Sequence, residues 1–223
     1  MITLGIDTSL SNVSFAILKN SQKDAPLAEF NGDAGRGLAD KIGEITKKLL
    51  DTAGICAGKI ERCGIVAGPG SFTGLRIGIA FAKGLFADSE AKICAVSSLE
   101  CAAKSSGKLG EVAVFFDARQ DEVFFAKFRN NERISPDERL TFEKALEKCG
   151  ENDTIIYSLS GNSNSPIKKI LRDFECLEAE ALVGRGAVAA KIAENCENLQ
   201  TIDEIFPNYM QISYAERCKN VKC

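Results

Sequence analysis

The segment from Val66 to Phe86, VAGPGSFTGLRIGIAFAKGLF, constrains the fold of this chain more than any other. An apolar run ending at Ala67 meets Gly68, Pro69 and Gly70, and Ser71 and Thr73 then supply a helix start. Gly74, Gly78 and Ala82 follow at four-residue intervals, on one face of that helix. The pattern is strand, tight turn, helix, with turn amides gathered at a helix N-terminus where anions are favoured. The stripe of small residues leaves a groove that another helix backbone can approach closely. Two roles are open at this point: a phosphate cradle, or a seat for a neighbouring subunit.

The absence of histidine from all 223 residues narrows the chemistry. Ser-His-Asp and Cys-His catalysis, histidine-based zinc sites and the HExxH protease motif are all excluded. Nine cysteines, an odd number with no Cys-x-x-Cys pair, point to reduced thiols in a cytosol rather than a disulfide framework. A net charge of −3 gives no electrostatic footprint for nucleic acid. The basic residues of the tail, Arg217, Lys219 and Lys222, read as a solvated end, so any RNA is expected to be gripped by another protein. No apolar run approaches the ~20 residues of a membrane helix, and Asp7 interrupts the N-terminus where a signal peptide stays apolar. A cytoplasmic protein without membrane contact is the expectation.

The periodicity predicts strands over 2–6, 13–18 and 27–31, then a helix over 38–53. A strand over 63–67, a helix over 73–86, a strand over 92–96 and a short helix near 98–106 follow. The second part repeats the order: strands over 112–116 and 122–128, a helix over 141–148 and a strand over 154–159. A polar loop over 160–166, a helix over 167–173 and a clearer one over 186–196 complete it. A hairpin start followed by α/β alternation, occurring twice, predicts two ribonuclease-H-like subdomains, 1–106 and 107–223, with the last helix free to return to the first.

Three constellations stand out. The N-terminal turn of Asp7, Thr8 and Ser9, with Gly68, Gly70 and Ser71, has the residue types that hold a nucleotide phosphate and a metal, although such turns also satisfy their own backbone. The glycines are neither a Walker A loop nor a dinucleotide fingerprint, since GxGxxxG is one residue long and the next strand ends in Ser97 and Ser98. Asp117, Asp121 and Glu122 form a carboxylate cluster that reads as hairpin punctuation. The helix pair 38–53 and 73–86 is the third. The second of these is apolar nearly all round, so it is either buried in its own fold or covered by a partner. A subunit interface is expected there, formed by Leu38, Ile42, Ile45, Leu49, Thr73, Gly74, Arg76, Ile77, Gly78, Phe81 and Ala82.

Together these features resemble the bacterial TsaB (YeaZ) family. GIDTS at 5–9, GPGSFTGLRIGIAFAKGL at 68–85, VSSLE at 96–100 and DARQDEVFFAKF at 117–128 carry the resemblance, and Pro207-Asn208-Tyr209-Met210 is similar to its C-terminal P-x-Y-L motif. One departure is Arg36-Gly37-Leu38, where the family has a histidine-containing stretch before the first helix. The resemblance implies an α/β fold of actin/Hsp70/hexokinase (ASKHA) architecture. It further implies a non-catalytic subunit that dimerises with a TsaD-type catalytic subunit, which transfers threonylcarbamoyl to the adenosine beside the tRNA anticodon. A TsaE-type ATPase as a further partner, a homodimer in isolation, and tRNA contact only through the complex are also implied. No firmly bound cofactor is expected, with ATP or ADP at the subunit seam left open. The alternative is an ATP-dependent phosphotransferase of the same fold using Asp7, Thr8 and Ser9. A peptidase is disfavoured by the missing histidine.

Overall fold

Strand β1 (Ile2–Asp7) carries different chemistry on its two faces, because successive side chains point to opposite sides of a sheet. Leu4 and Ile6 enter one apolar core with Val13, Phe15 and Ile17 of β2 (Asn12–Lys19) and with Cys63, Ile65 and Ala67 of β4 (Arg62–Gly68). Helices α1 (Leu38–Ala53) and α2 (Phe72–Phe86) close that core with Ile42, Leu49, Ile79 and Phe86. Thr3, Gly5 and Asp7 face helix α5 (Arg185–Asn195) on the opposite side. The computed structural model describes residues 1–20, 25–33, 37–119, 121–159, 167–168 and 173–210.

With β3 (Ala28–Asp33) and β5 (Lys92–Ser97), the first sheet has the order β3-β2-β1-β4-β5. The hairpin pairs are antiparallel, whereas β1, β4 and β5 run parallel. The second sheet repeats this plan. Strands β6 (Glu111–Arg119) and β7 (Glu122–Arg129) form its antiparallel hairpin, and β10 (Thr154–Ser158) and β11 (Glu175–Glu178) extend β6 in parallel. Two short strands, β8 (Glu132–Arg133) and β9 (Glu138–Thr141), share the other edge of β7. Reading β9-β7-β6-β10-β11 against β3-β2-β1-β4-β5 gives the same sequence of partners and directions, the duplicated ribonuclease-H-like plan of the ASKHA architecture.

Helix α3 (Ser98–Ser105) and α5 lie between the two sheets. Leu99 and Ala102 of α3 meet Val112, Val114 and Phe116 of the second sheet, while Ala189 and Ala193 of α5 meet Val66 and Val96 of the first. The outer face of the second sheet, with Phe115, Phe125 and Ile155, is covered by Phe142 and Ala145 of α4 (Phe142–Leu146). So α5, late in the sequence, completes the core of the first sheet. Its seat is cut by glycines: a Cβ on Gly5 would lie 1.8 Å from Gly186 O, and one on Gly64 would lie 2.0 Å from Ala189 O.

Apart from the helix over 167–173, the expected strands and helices are present within one to three residues of their bounds, although the helix expected over 141–148 is shorter, at 142–146. Strands β8, β9 and β11 were not anticipated. The loop over 160–166, most of the helix expected over 167–173, Arg36 and the tail with Arg217, Lys219 and Lys222 lie outside the described residues. No helix among the described residues is long and apolar enough to cross a membrane.

Candidate functional site

The glycine turn is shaped by its own chain. Gly68 and Gly70 have φ of 126° and 155°, and both are pressed by backbone. A Cβ on Gly68 would meet Asn208 O at 2.3 Å, and one on Gly70 would meet Ser9 O at 2.6 Å. Asn208 N donates to Ala67 O at 2.7 Å, bringing the Pro207–Met210 segment alongside the turn. Ser71 caps α2 by accepting from Gly74 N at 3.2 Å, and Ser71 N itself donates to Ser9 O at 2.7 Å. The helix start is therefore partly occupied by the β1–β2 turn.

That turn is spent in the same way. Asp7 Oδ1 accepts from Ser9 N at 2.8 Å and from Ser9 Oγ at 2.6 Å, and Asp7 Oδ2 accepts from Arg185 Nε at 2.7 Å. Asp7 and Arg185 are 0% and 1% exposed. The rest of the guanidinium donates to the carbonyls of Ala179, Leu182 and Asn12, so each of its three nitrogens is hydrogen-bonded. Thr8 Oγ1 donates to Gly74 O at 2.9 Å. The possibility left open above, that Asp7, Thr8 and Ser9 hold a phosphate with Asp7 reaching a metal, meets an occupied site. All three are buried, and the charge that would meet a cation already meets Arg185. A phosphate-bound metal does not fit this carboxylate.

The stripe on α2 needs a correction. Gly74, Gly78 and Ala82 are buried and face inward. A Cβ on Gly74 would lie 2.0 Å from Thr8 O, and one on Gly78 would lie 2.2 Å from Thr8 Oγ1. The backbone that these small residues admit is the chain's own β1–β2 turn, so they do not seat a neighbouring helix. Ile42 and Leu49 of α1 are likewise buried beneath the pair.

What remains outward is different. Leu38, Ile45, Ile77 and Phe81 are half-buried, while Thr73, Arg76 and Ala80 are exposed. Gly43 and Gly84 sit inside helices, exposed, with nothing within 4 Å of a built Cβ. Neither is required by the fold around it. At one end of this surface the Arg76 guanidinium lies 3.9 Å over the Phe72 ring and donates to the Tyr209 hydroxyl at 2.7 Å, with the two rings 4.6 Å apart. Lys83 Nζ lies 4.5 Å over Phe206, which is 70% exposed. The sequence reading missed Arg185, Phe72 and the pairing of Arg76 with Tyr209. Only the motif around Tyr209 carried any signal.

Between the two sheets lies a cleft of about 690 Å³, lined among others by Ser9, Gly70, Ser71, Phe116, Asp117 and Glu180. Asp117 Oδ1 accepts from Arg119 N at 3.1 Å in the β6–β7 turn, where Arg119 and Asp121 have φ of 68° and 60°. Glu122 pairs with Arg139 across the strands. Asp117 thus braces the β6–β7 turn, and Glu122 ties β7 to β9. Burial raises the Glu180 carboxyl above its ordinary range despite a hydrogen bond donated by Ser158, and its Oε2 is buried without a partner. No group of three potential metal ligands exists among the described residues.

Comparison with known proteins gives a consistent result. The family model described as TsaD, tRNA N6-adenosine threonylcarbamoyltransferase, matches residues 32–216. The tRNA threonylcarbamoyladenosine biosynthesis protein TsaB of Bacillus subtilis (strain 168) is 27% identical over 227 residues, covering 97% of this chain and 96% of that one. Its Escherichia coli (strain K12) counterpart is 30% identical over 135 residues, 59% of this chain and 57% of that one. The structure of YeaZ from Pseudomonas aeruginosa superimposes with a TM-score of 0.73 at 22% identity, covering 93% of this chain and 99% of that one, a likeness of fold.

Proposed function

Because the chain belongs to the TsaB (YeaZ) family, among the TsaD-type proteins of tRNA threonylcarbamoyladenosine biosynthesis, we propose that it is a non-catalytic subunit docking a TsaD-type catalytic partner through the outer face of α1 and α2. The observation that carries this reading is the pair of exposed glycines, Gly43 and Gly84, inside those helices. A glycine in a helix interior costs about 1 kcal/mol relative to alanine, and nothing in this chain requires either one. A closely approaching partner backbone supplies the missing reason. The half-buried Ile77 and Phe81, beside Gly84 on α2, provide apolar area for such a docking.

The spent Asp7 favours this reading over an ATP-dependent phosphotransferase, whose metal would need that carboxylate free. A TsaE-type ATPase, ATP or ADP at the seam, and tRNA held only through the catalytic subunit complete the proposed complex. In isolation the same face pairs with a second copy. The net charge of −3 accords with a subunit that leaves RNA to its partner.

Co-expression with a TsaD-type subunit, followed by size-exclusion chromatography with light scattering, tests the assignment. The two chains are expected to co-elute, and Ala80→Arg, on the exposed side of α2, is expected to separate them while leaving the circular dichroism unchanged. Gly78→Arg is uninformative, because it collides with Thr8 inside the fold. Co-elution undiminished by Ala80→Arg contradicts the docking face.

A further inference from the structure

The side chain of Arg76 is fixed on the protein surface while most of its hydrogen-bonding capacity is unused. Thr73, Arg76, Ala80 and Gly84 follow one another at helical spacing along α2, and all four are exposed. Arg76 therefore stands one turn from Ala80, on the face proposed above for docking. Its guanidinium carbon lies 3.9 Å over the Phe72 ring, and its Nε donates to the Tyr209 hydroxyl at 2.7 Å. Tyr209 is itself held: its neighbour Asn208 N donates to Ala67 O at 2.7 Å, and its ring lies 4.6 Å from that of Phe72. One flat side of the guanidinium and its Nε are thus occupied. Among the described residues, no hydrogen bond or ion pair engages the two terminal nitrogens. Helix α2 offers no counter-charge either, since Arg76 and Lys83 are its only charged side chains.

We propose that Arg76 is the charged anchor of the docking face, gripping an Asp or Glu carboxylate of the catalytic partner through both terminal nitrogens. The inference rests on the docking reading above and names the chemistry of its seam. A carboxylate accepts two parallel N–H bonds from a guanidinium fork, a geometry that lysine does not supply. An exposed arginine ordinarily loses rotamer freedom when a partner orders it. Here Phe72 and Tyr209 hold the side chain before any partner arrives, so that loss is smaller. Docking also removes water from the exposed Phe72 and the cation above it. A covered guanidinium left unpaired is costly, so the face favours a partner that brings a carboxylate to this point.

A nucleic-acid phosphate suits this place less well. A phosphate backbone is gripped by a row of cations, each neutralising one charge. On α2 the sole companion of Arg76 is Lys83, two turns away, and its Nζ already donates to Asp203 O at 3.2 Å. A single fork between aromatic rings matches one carboxylate on a protein surface, the kind of arginine and tyrosine pairing that concentrates binding energy at interfaces.

The test measures affinity and dissociation rate of the full chain on a TsaD-type subunit for wild type, Arg76→Ala, Arg76→Lys, Tyr209→Phe and Ala80→Arg. Arg76→Ala is expected to bind at least about 30-fold more weakly, with the loss in the dissociation rate. Arg76→Lys keeps the charge but loses the fork, and is expected to bind about 10-fold more weakly. Tyr209→Phe removes one positioning hydrogen bond and is expected to cost about 3-fold. The unfolding temperatures of the isolated Arg76 variants are expected to stay within about 2 °C of wild type, because the fork holds nothing inside the chain. If Ala80→Arg prevents binding while both Arg76 variants bind as wild type, the docking face stands and the role of Arg76 is overturned. Wild type that fails to bind overturns both. Arg76→Lys binding as wild type shows that a point charge suffices, which overturns the fork. Loss of tRNA binding or of self-association in Arg76→Ala, with partner binding intact, overturns the carboxylate assignment.

Discussion

Asp7 and Arg185, 178 residues apart in the chain, meet at 2.7 Å in a site closed to solvent. The pair joins β1 to α5. It explains why a helix from the second half of the sequence is required to complete the first sheet.

Removing one member strands the other as a buried, uncompensated charge. Arg185→Met is therefore expected to destabilise the fold by about 3–5 kcal/mol in urea unfolding. Adding Asp7→Asn to that variant is expected to restore a measurable part of the loss, since no charge then remains buried. Additive losses in the double variant contradict the coupling.

Glycine substitutions separate packing from docking. Gly64→Ala pushes a methyl toward Ala189 O, only 2.0 Å from the built Cβ, and is expected to cost at least about 2 kcal/mol. Gly43→Ala meets open space and is expected to stabilise the isolated chain by about 1 kcal/mol. Thermal unfolding of the two variants side by side checks both. If Gly43→Ala destabilises the chain, its helix position has an internal role that the structure lacks.

Much of this organisation was legible in the sequence. Alternating or continuous apolar runs such as Val112–Phe116 announced strands buried on both faces, and Leu38, Ile42, Ile45 and Leu49 announced α1. Strands β8, β9 and β11 were not legible, because short edge strands such as Glu175–Glu178 bury little and carry charge. The stripe of Gly74, Gly78 and Ala82 announced a close approach but not its object. Sequence spacing cannot distinguish a partner's helix from Thr8 of the same chain. Arg185 left no signal, since a single arginine opening an alanine-rich helix reads as an ordinary surface residue.

Glu180 supplies a pH-dependent prediction. Burial raises its carboxyl above the ordinary 4.5, so the fold prefers the protonated form. The cost of ionisation is absent below the unfolded-state value and is fully present once pH exceeds the raised folded-state value. Glu180→Gln is expected to stabilise the protein at pH 7 by roughly 1 kcal/mol, the figure kept low because the side chain is only partly buried. The gain should vanish toward pH 4. Denaturant midpoints measured across that range check it, and a gain independent of pH contradicts the assignment.

The most direct test of the α1–α2 docking face is calorimetric titration of a TsaD-type catalytic subunit with this chain. Wild type is expected to bind with saturable heat, Ala80→Arg to bind at least about 100-fold more weakly, and Arg185→Lys, away from that face, to bind as wild type if it remains folded. Equal affinity for wild type and a correctly folded Ala80→Arg variant would contradict the account.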